Sequence, residues 1–256
     1  MDKNTWFFKS TLLVIFTPLG ILLLFETNAF AMHISEGILP LTWAVLWYLL
    51  MIPFLGIGII QIRKRVKKEP YLKPLLGLSS ALVFVISLMP IPVPIAGTCS
   101  HPCGTAISAI ILGPFMSVVV SFCALLLQAL FLAHGGLSTL GSNTLSMGVA
   151  GSFASYGVFL LLRKLRFSLP VCGFMAGLMA DWATYSATAM QLALGVRGEE
   201  AFLPLFSKIL IAFIPTQLPL GVLEGFITLG VITVLLKRRP DLIEFIYGLR
   251  TQEVRA

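Results

Sequence analysis

Gly97-Thr98-Cys99-Ser100-His101-Pro102-Cys103-Gly104-Thr105-Ala106-Ile107-Ser108-Ala109-Ile110-Ile111-Leu112-Gly113-Pro114-Phe115 is the stretch on which the fold turns. Its apolar part, residues 105–112, is closed by Gly-Pro and at helical rise covers about 12 Å, less than half of a hydrocarbon core roughly 30 Å thick. The apolar run then resumes and continues over residues 115–132, long enough to cross completely. A helix that begins at mid-depth draws the residues before it, 97–104, down into the protein. Irregular backbone is tolerated at that depth only where protein buries it or where it lines a polar cavity. His101 is therefore expected beneath the outer face.

The flanks fix which face is outer. Residues 41–62 form a spanning run that ends in Arg63-Lys64-Arg65-Val66-Lys67-Lys68, with Lys73 following. Arg163-Lys164-Leu165-Arg166 and Lys237-Arg238-Arg239 are two further basic groups, and all three belong on the cytoplasmic side. Residues 75–89 return outward and are stopped by Pro90-Ile91-Pro92-Val93-Pro94, which cannot continue a helix interior. The loop 134–143 lies one helix before the second basic group, hence outside. The chain between 104 and 133 must then cross an even number of times: a half-helix inward and a full helix back. Residues 144–162 carry Gly148, Gly151, Ser152 and Ser155, and 171–194 carry Gly173, Ala176, Gly177 and Ala180, spacings that let membrane helices approach closely. The last run, 206–236, is interrupted by Pro215 and Pro219, which predicts a kink. The polar tail after Pro240 reads as cytosolic. The expectation is an all-α integral membrane protein with about six full transmembrane helices plus one short half-helix.

Composition agrees. Of 256 residues, 57% are hydrophobic and 11% charged, with a mean hydropathy of +0.96, whereas a soluble domain carries about 25% charged residues. The net charge of +7 does not indicate nucleic acid, because the basic residues sit in short runs between apolar segments instead of on one folded face. No Gly-rich phosphate loop is present, so ATP hydrolysis is not expected of this chain, and neither H-E-x-x-H nor G-x-S-x-G appears. The chain does not read as an enzyme.

Residues 1–31 read as a cleavable signal peptide: Lys3 and Lys9, an apolar core over 11–25, and Ala29-Phe30-Ala31 at the cleavage position. Residues 32–256 then form a single polytopic membrane domain. Cleavage makes Met32 a free terminus. Its amine, the backbone nitrogen of His33 and the His33 imidazole can close fused chelate rings on one divalent metal, a donor set suited to Ni(II) or Co(II). The chain has three histidines, His33, His101 and His134, all assigned to the outer half. His101 is the candidate for a further ligand. His134, beside Gly135-Gly136, reads as a loop-shaping group, and it is grouped with Glu36 and Ser100 as support around the metal.

Of the four cysteines, Cys123 and Cys172 fall in apolar segments and read as small buried hydrophobes. Cys99 and Cys103 leave open a disulfide, sulfur ligation or two packed thiols. Asp181 and Glu224 sit inside spanning runs, where a carboxylate is costly. A helix–helix hydrogen bond is the favoured reading of both, ahead of orienting a ligand histidine or docking a partner subunit.

Four separated blocks then carry a resemblance. Ala31-Met32-His33-Ile34-Ser35-Glu36-Gly37-Ile38-Leu39-Pro40, Gly97-Thr98-Cys99-Ser100-His101-Pro102, the run from Leu132-Ala133-His134-Gly135-Gly136 to Ser142-Asn143, and Thr216-Gln217-Leu218-Pro219 with Glu224-Gly225 resemble the CbiM group of cobalt transport proteins, relatives of the nickel protein NikM. The resemblance implies the substrate-capture subunit of an energy-coupling factor ABC-type transporter in a prokaryotic inner (cell) membrane, multi-pass, with the mature N-terminus outside. It would import cobalt for cobalamin biosynthesis with a CbiN-like small membrane protein, a CbiQ-like coupling protein and a CbiO-like ATPase. No tightly bound cofactor is implied; Co(II), or alternatively Ni(II), is the transported ligand. The metal ligands it implies are Met32, His33 and His101. Cys103 departs from the small residue expected there. A metal-independent membrane scaffold is the reading from another class.

Overall fold

The computed structural model describes residues 33–89, 91–93, 98–239 and 241. The leader 1–31, Met32 and the tail beyond 241 lie outside the described residues, as does the side chain of Cys99. The architecture is helical. Helix α1 (Leu41–Lys68) runs six residues past the expected end, its last turn carrying Arg65, Lys67 and Lys68, cations that suit a helix C-terminus. Helix α2 (Leu72–Ser87) returns. Where the sequence suggests only proline-rich loop, Ile91–Val93 (β1) pairs antiparallel with Thr98–Ser100 (β2), Pro92 opposite Cys99. This ribbon is the exception to an all-α chain among the described residues.

Helix α3 (Thr105–Leu112) is the half-helix, with the bounds the Gly-Pro pair dictates. All eight of its residues are buried. Gly104 precedes it with φ +69°, a left-handed conformation that glycine adopts without steric cost. The guanidinium of Arg65 donates to the carbonyl of Leu112 at 3.2 Å, which ties the foot of α3 to the basic end of α1. The loop carrying His101 therefore stands one half-helix above the basic face.

Helix α4 (Pro114–Phe131) starts with proline in its first turn, where the missing N–H is not needed. Helix α5 (Leu140–Lys164) begins four residues earlier than the expected 144. It winds as a π-helix over Thr144–Gly151, a departure the sequence does not announce. Helices α6 (Leu169–Val196) and α7 (Phe202–Arg238) complete the bundle. Helix α7 runs unbroken for 37 residues, with Pro215 and Pro219 inside it.

Among the described residues, four helices are long and apolar enough to cross a membrane: α1, α4, α5 and α7. The small-residue faces pack as the spacing predicts. A Cβ on Gly177 of α6 would lie 2.6 Å from the Glu224 carbonyl of α7, and one on Gly151 of α5 would lie 2.6 Å from the Thr184 hydroxyl of α6. These approaches draw α5, α6 and α7 together around α3. Cys172 is buried as expected, whereas Cys123 is exposed on α4. In a bilayer such a face meets lipid as apolar as a core, so burial in protein is not required there.

Candidate metal centre

The centre is assembled by pinning one segment onto one loop. Residues 33–39 precede α1, and their backbone has no helix or strand of its own to satisfy it. Asn143, at the start of α5, supplies both halves: its side-chain oxygen accepts the N–H of Ile34 at 2.8 Å and its amide nitrogen donates to the Ile34 carbonyl at 3.1 Å. The Thr139 hydroxyl donates to the same carbonyl at 2.5 Å. The Glu36 carboxylate accepts the Ser138 N–H at 3.0 and 3.3 Å. Gly136 lets the two strands of chain touch, since a Cβ there would lie 2.7 Å from both the Cα and the nitrogen of Glu36. This clamp sets His33 beside the loop that carries His134.

His101 arrives from below. The ring centroids of His33 and His101 are 4.7 Å apart, those of His33 and His134 are 5.0 Å apart, and those of His101 and His134 are 5.2 Å apart. One nitrogen from each ring lies within 4.8 Å of the others. His33 and His101 are 2% and 0% exposed, while His134 is half-buried.

Neighbouring hydrogen bonds determine which ring nitrogen is free. The Ser87 hydroxyl donates to the carbonyl of Val83 at 2.7 Å, so it receives, and does not donate, in its bond from the Gln128 amide nitrogen at 2.7 Å. That leaves the Gln128 oxygen, an acceptor only, facing Nε2 of His33 at 3.2 Å. Nε2 must carry the proton and Nδ1 the lone pair. Nδ1 is the nitrogen that closes a six-membered ring with the residue's own backbone nitrogen. In His101 the pattern is reversed: Nδ1 faces the Pro102 carbonyl at 3.1 Å, so Nε2 holds the lone pair, and that buried nitrogen has no partner among the described residues. Nε2 of His134 is likewise buried and unpartnered.

Electrostatics keep all three rings neutral. Burial pushes the His33 imidazole well below its usual range, and His101 and His134 add to the effect. Burial, with His134 beside it, takes His101 down to about 3. Burial also lowers His134. Neutral imidazoles with free lone pairs, clustered and desolvated, are what a transition metal binds and what a proton does not.

Of the residues singled out from sequence, His33 and His101 are brought together, Met32 is outside the described residues, and His134 comes into ring contact with both. Glu36 meets Ser138, a clamp on the terminal segment. Ser100 accepts from the Gln217 amide, fastening β2 to α7. Glu224 makes no helix–helix hydrogen bond of the expected kind; its carboxylate accepts the N–H of Cys103 at 2.7 Å and of Gly104 at 2.9 Å. Asp181 has no hydrogen-bond partner among the described residues. Cys103 is a free, buried thiol. Sequence reasoning missed Gln128, Thr139 and Asn143. A glutamine within an apolar spanning run was the available signal, since such a group is buried only with a partner.

Residues 33–242 match the family model of the cobalt uptake substrate-specific transmembrane region, CbiM. The chain belongs to the CbiM family. Among relatives, it is 61% identical over 215 residues to the cobalt transport protein CbiM of Geobacter sulfurreducens, covering 84% of this chain and 62% of the relative's length. It is 52% identical over 213 residues to the CbiM of Sorangium cellulosum, with 83% and 95% of the two chains covered. A crystal structure of a transition metal transporter superposes with a TM-score of 0.73 at 28% identity, covering 85% of this CbiM-family chain and 99% of the other. The histidine cluster and the half-helix beneath it are thus features of a membrane protein of a metal-uptake family.

Proposed function

We propose that this chain is the substrate-capture subunit of an energy-coupling factor ABC-type transporter that imports cobalt for cobalamin biosynthesis. The observation that carries the proposal is the convergence of His33, His101 and His134 with one ring nitrogen each within 4.8 Å of the others. A cleavage after Ala31 would put a free amine on Met32, one residue before His33. The Met32 amine, the His33 backbone nitrogen and Nδ1 of His33 would then occupy three positions around the ion, and Nε2 of His101 a fourth. His134 stands where it can add a fifth nitrogen or hold the ion's approach path.

In this mechanism Co(II) enters from the outer side, where the clamp of Glu36, Thr139 and Asn143 holds the terminal segment over the His101 loop. Occlusion follows as that segment closes. Release inward would need the subunit to reorient against a CbiQ-like coupling protein, driven by a CbiO-like ATPase, with a CbiN-like small membrane protein in the assembly. The crossing count proposed is six full spans plus α3, in a prokaryotic inner membrane with the mature terminus outside. The two additional crossings are α2, which has 16 residues, and α6, which has 28.

Nickel is the competing substrate. A plane of four nitrogens suits Ni(II), while the third imidazole favours an ion that accepts ligands outside the plane. Uptake of Co(II) in cells expressing the chain with its partners, challenged by Ni(II), decides between them. His33→Ala should abolish uptake of either ion; undiminished uptake would leave the scaffold reading in its place.

A further inference from the structure

We propose that Cys103, Asp181 and Glu224 hold a second divalent transition-metal ion at the head of the half-helix, separate from the histidine site. The three side chains come from the His101 loop, α6 and α7, each is 0% exposed, and one donor atom from each lies within 4.8 Å of the others. A tetrahedral shell with metal–ligand lengths of roughly 2.0–2.3 Å sets donors roughly 3.3–3.8 Å apart, so side-chain adjustments alone close the site.

Two observations point to a ligand instead of a packed polar patch. Both carboxylate oxygens of Asp181 are buried and without any hydrogen-bond donor among the described residues, an arrangement that burial penalises unless a cation or proton joins it. The Glu224 carboxylate, in contrast, is aimed: the Cys103 and Gly104 N–H groups at 2.7 and 2.9 Å fix its plane. Each carboxylate oxygen keeps a further lone pair for a metal. The Cys103 thiolate and two carboxylates together exceed the charge of one divalent ion by one, so one carboxyl keeps a proton when the ion binds, and the sulfur selects Co(II), Ni(II) or Zn(II) over Mg(II) or Ca(II). Binding displaces the Cys103 thiol proton to solvent, since the thiolate is the ligand. The loaded site would tie the His101 loop to α6 and α7. The ligands are independent of the proposed capture site; only the expectation of cobalt as the metal rests on that reading.

The test titrates the full-length, detergent-solubilised protein with Co(II) alone and reads bound metal per chain together with sulfur-to-cobalt charge-transfer absorption in the near ultraviolet. His33→Ala should lose the outer equivalent and keep the absorption. Cys103→Ser should lose the absorption and keep the outer equivalent, which also shows that it folds, and Asp181→Asn should weaken the sulfur-ligated equivalent at least about 10-fold. Cys99→Ser should leave the absorption in place. Absorption that is missing from the wild type, or that survives Cys103→Ser, overturns the proposal, as does a proton shared between the two carboxyls with no second equivalent bound. Should Cys103→Ser fail to fold, X-ray absorption on cobalt-loaded Cys99→Ser/His33→Ala decides: a sulfur neighbour at about 2.3 Å supports the site and an all-nitrogen-and-oxygen shell sinks it. Failure of the capture reading looks different, because wild type and His33→Ala would then bind the same amount of metal.

Discussion

An imidazole binds a metal only through a nitrogen that carries no proton, so the residue that takes the other N–H governs the ligand. For His33 that residue is Gln128, itself oriented by Ser87. Gln128→Leu removes the acceptor and lets the ring choose the wrong tautomer or turn away. Losing such a supporting partner typically costs about 10–100-fold in metal affinity, and a chelator-competition titration with Co(II) should find a loss in that range. The same rings set an acid limit on the metal-free protein. Burial holds His101 at about 3 and lowers His33 and His134, whereas unfolded histidines titrate near about 6.5. Between those values the unfolded chain takes up protons that the folded chain refuses, so stability is complete above about 6.5 and falls as the pH drops toward about 3. Thermal unfolding of the metal-free protein across that window should show Tm falling with acidity, and less so in His101→Ala. His33 and His101 were legible in the sequence because soft nitrogen donors are scarce in this chain. Gln128 was not, since its partner Ser87 lies 41 positions away and only the packing of α2 against α4 makes the pair.

At the scale of elements, the half-helix could be read in advance because two independent facts agree on it. Its length is too short to span, and the basic clusters leave its flanks on fixed sides; the bond from Arg65 to Leu112 is the physical form of that agreement. The ribbon of β1 and β2 could not be read, since Pro90, Pro92 and Pro94 announce only that no helix passes. The π-turns of Thr144–Gly151 were equally hidden, because a widened helix keeps nearly the same hydrophobic pattern as a regular one. One exacting contact is that of residues 33–39 with the loop before α5. Gly136→Ala puts a Cβ 2.7 Å from the Glu36 backbone, which a side-chain rotation cannot relieve. Forced shifts of this kind cost about 1–3 kcal/mol. Gly136→Ala should lower both Tm and Co(II) affinity, while Gly56→Ala, with nothing within 4 Å of its added Cβ, should change neither.

The whole molecule makes one centre from three distant places in the chain, residues 33, 101 and 134, so the donors exist together only in the folded state. A ligand that binds the folded and not the unfolded chain stabilises by about 2.7 kcal/mol at 100 times its Kd, and Co(II) should therefore raise Tm in proportion to its affinity. If the terminal amine is a donor, that rise must also depend on proteolysis. Ala31→Leu replaces the small residue that the cleavage site requires, leaving the leader attached and the Met32 nitrogen locked in a peptide bond. Nothing in the clamp of Glu36, Thr139 and Asn143 depends on that cut, so the uncleaved protein should fold with unchanged metal-free Tm. Intact mass should show the retained leader, and the Co(II)-dependent rise in Tm should shrink by what the terminal amine supplies to the histidine site. An uncleaved protein with the full cobalt-dependent rise would remove the amine from the ligand set and leave the three imidazoles as the whole of the site.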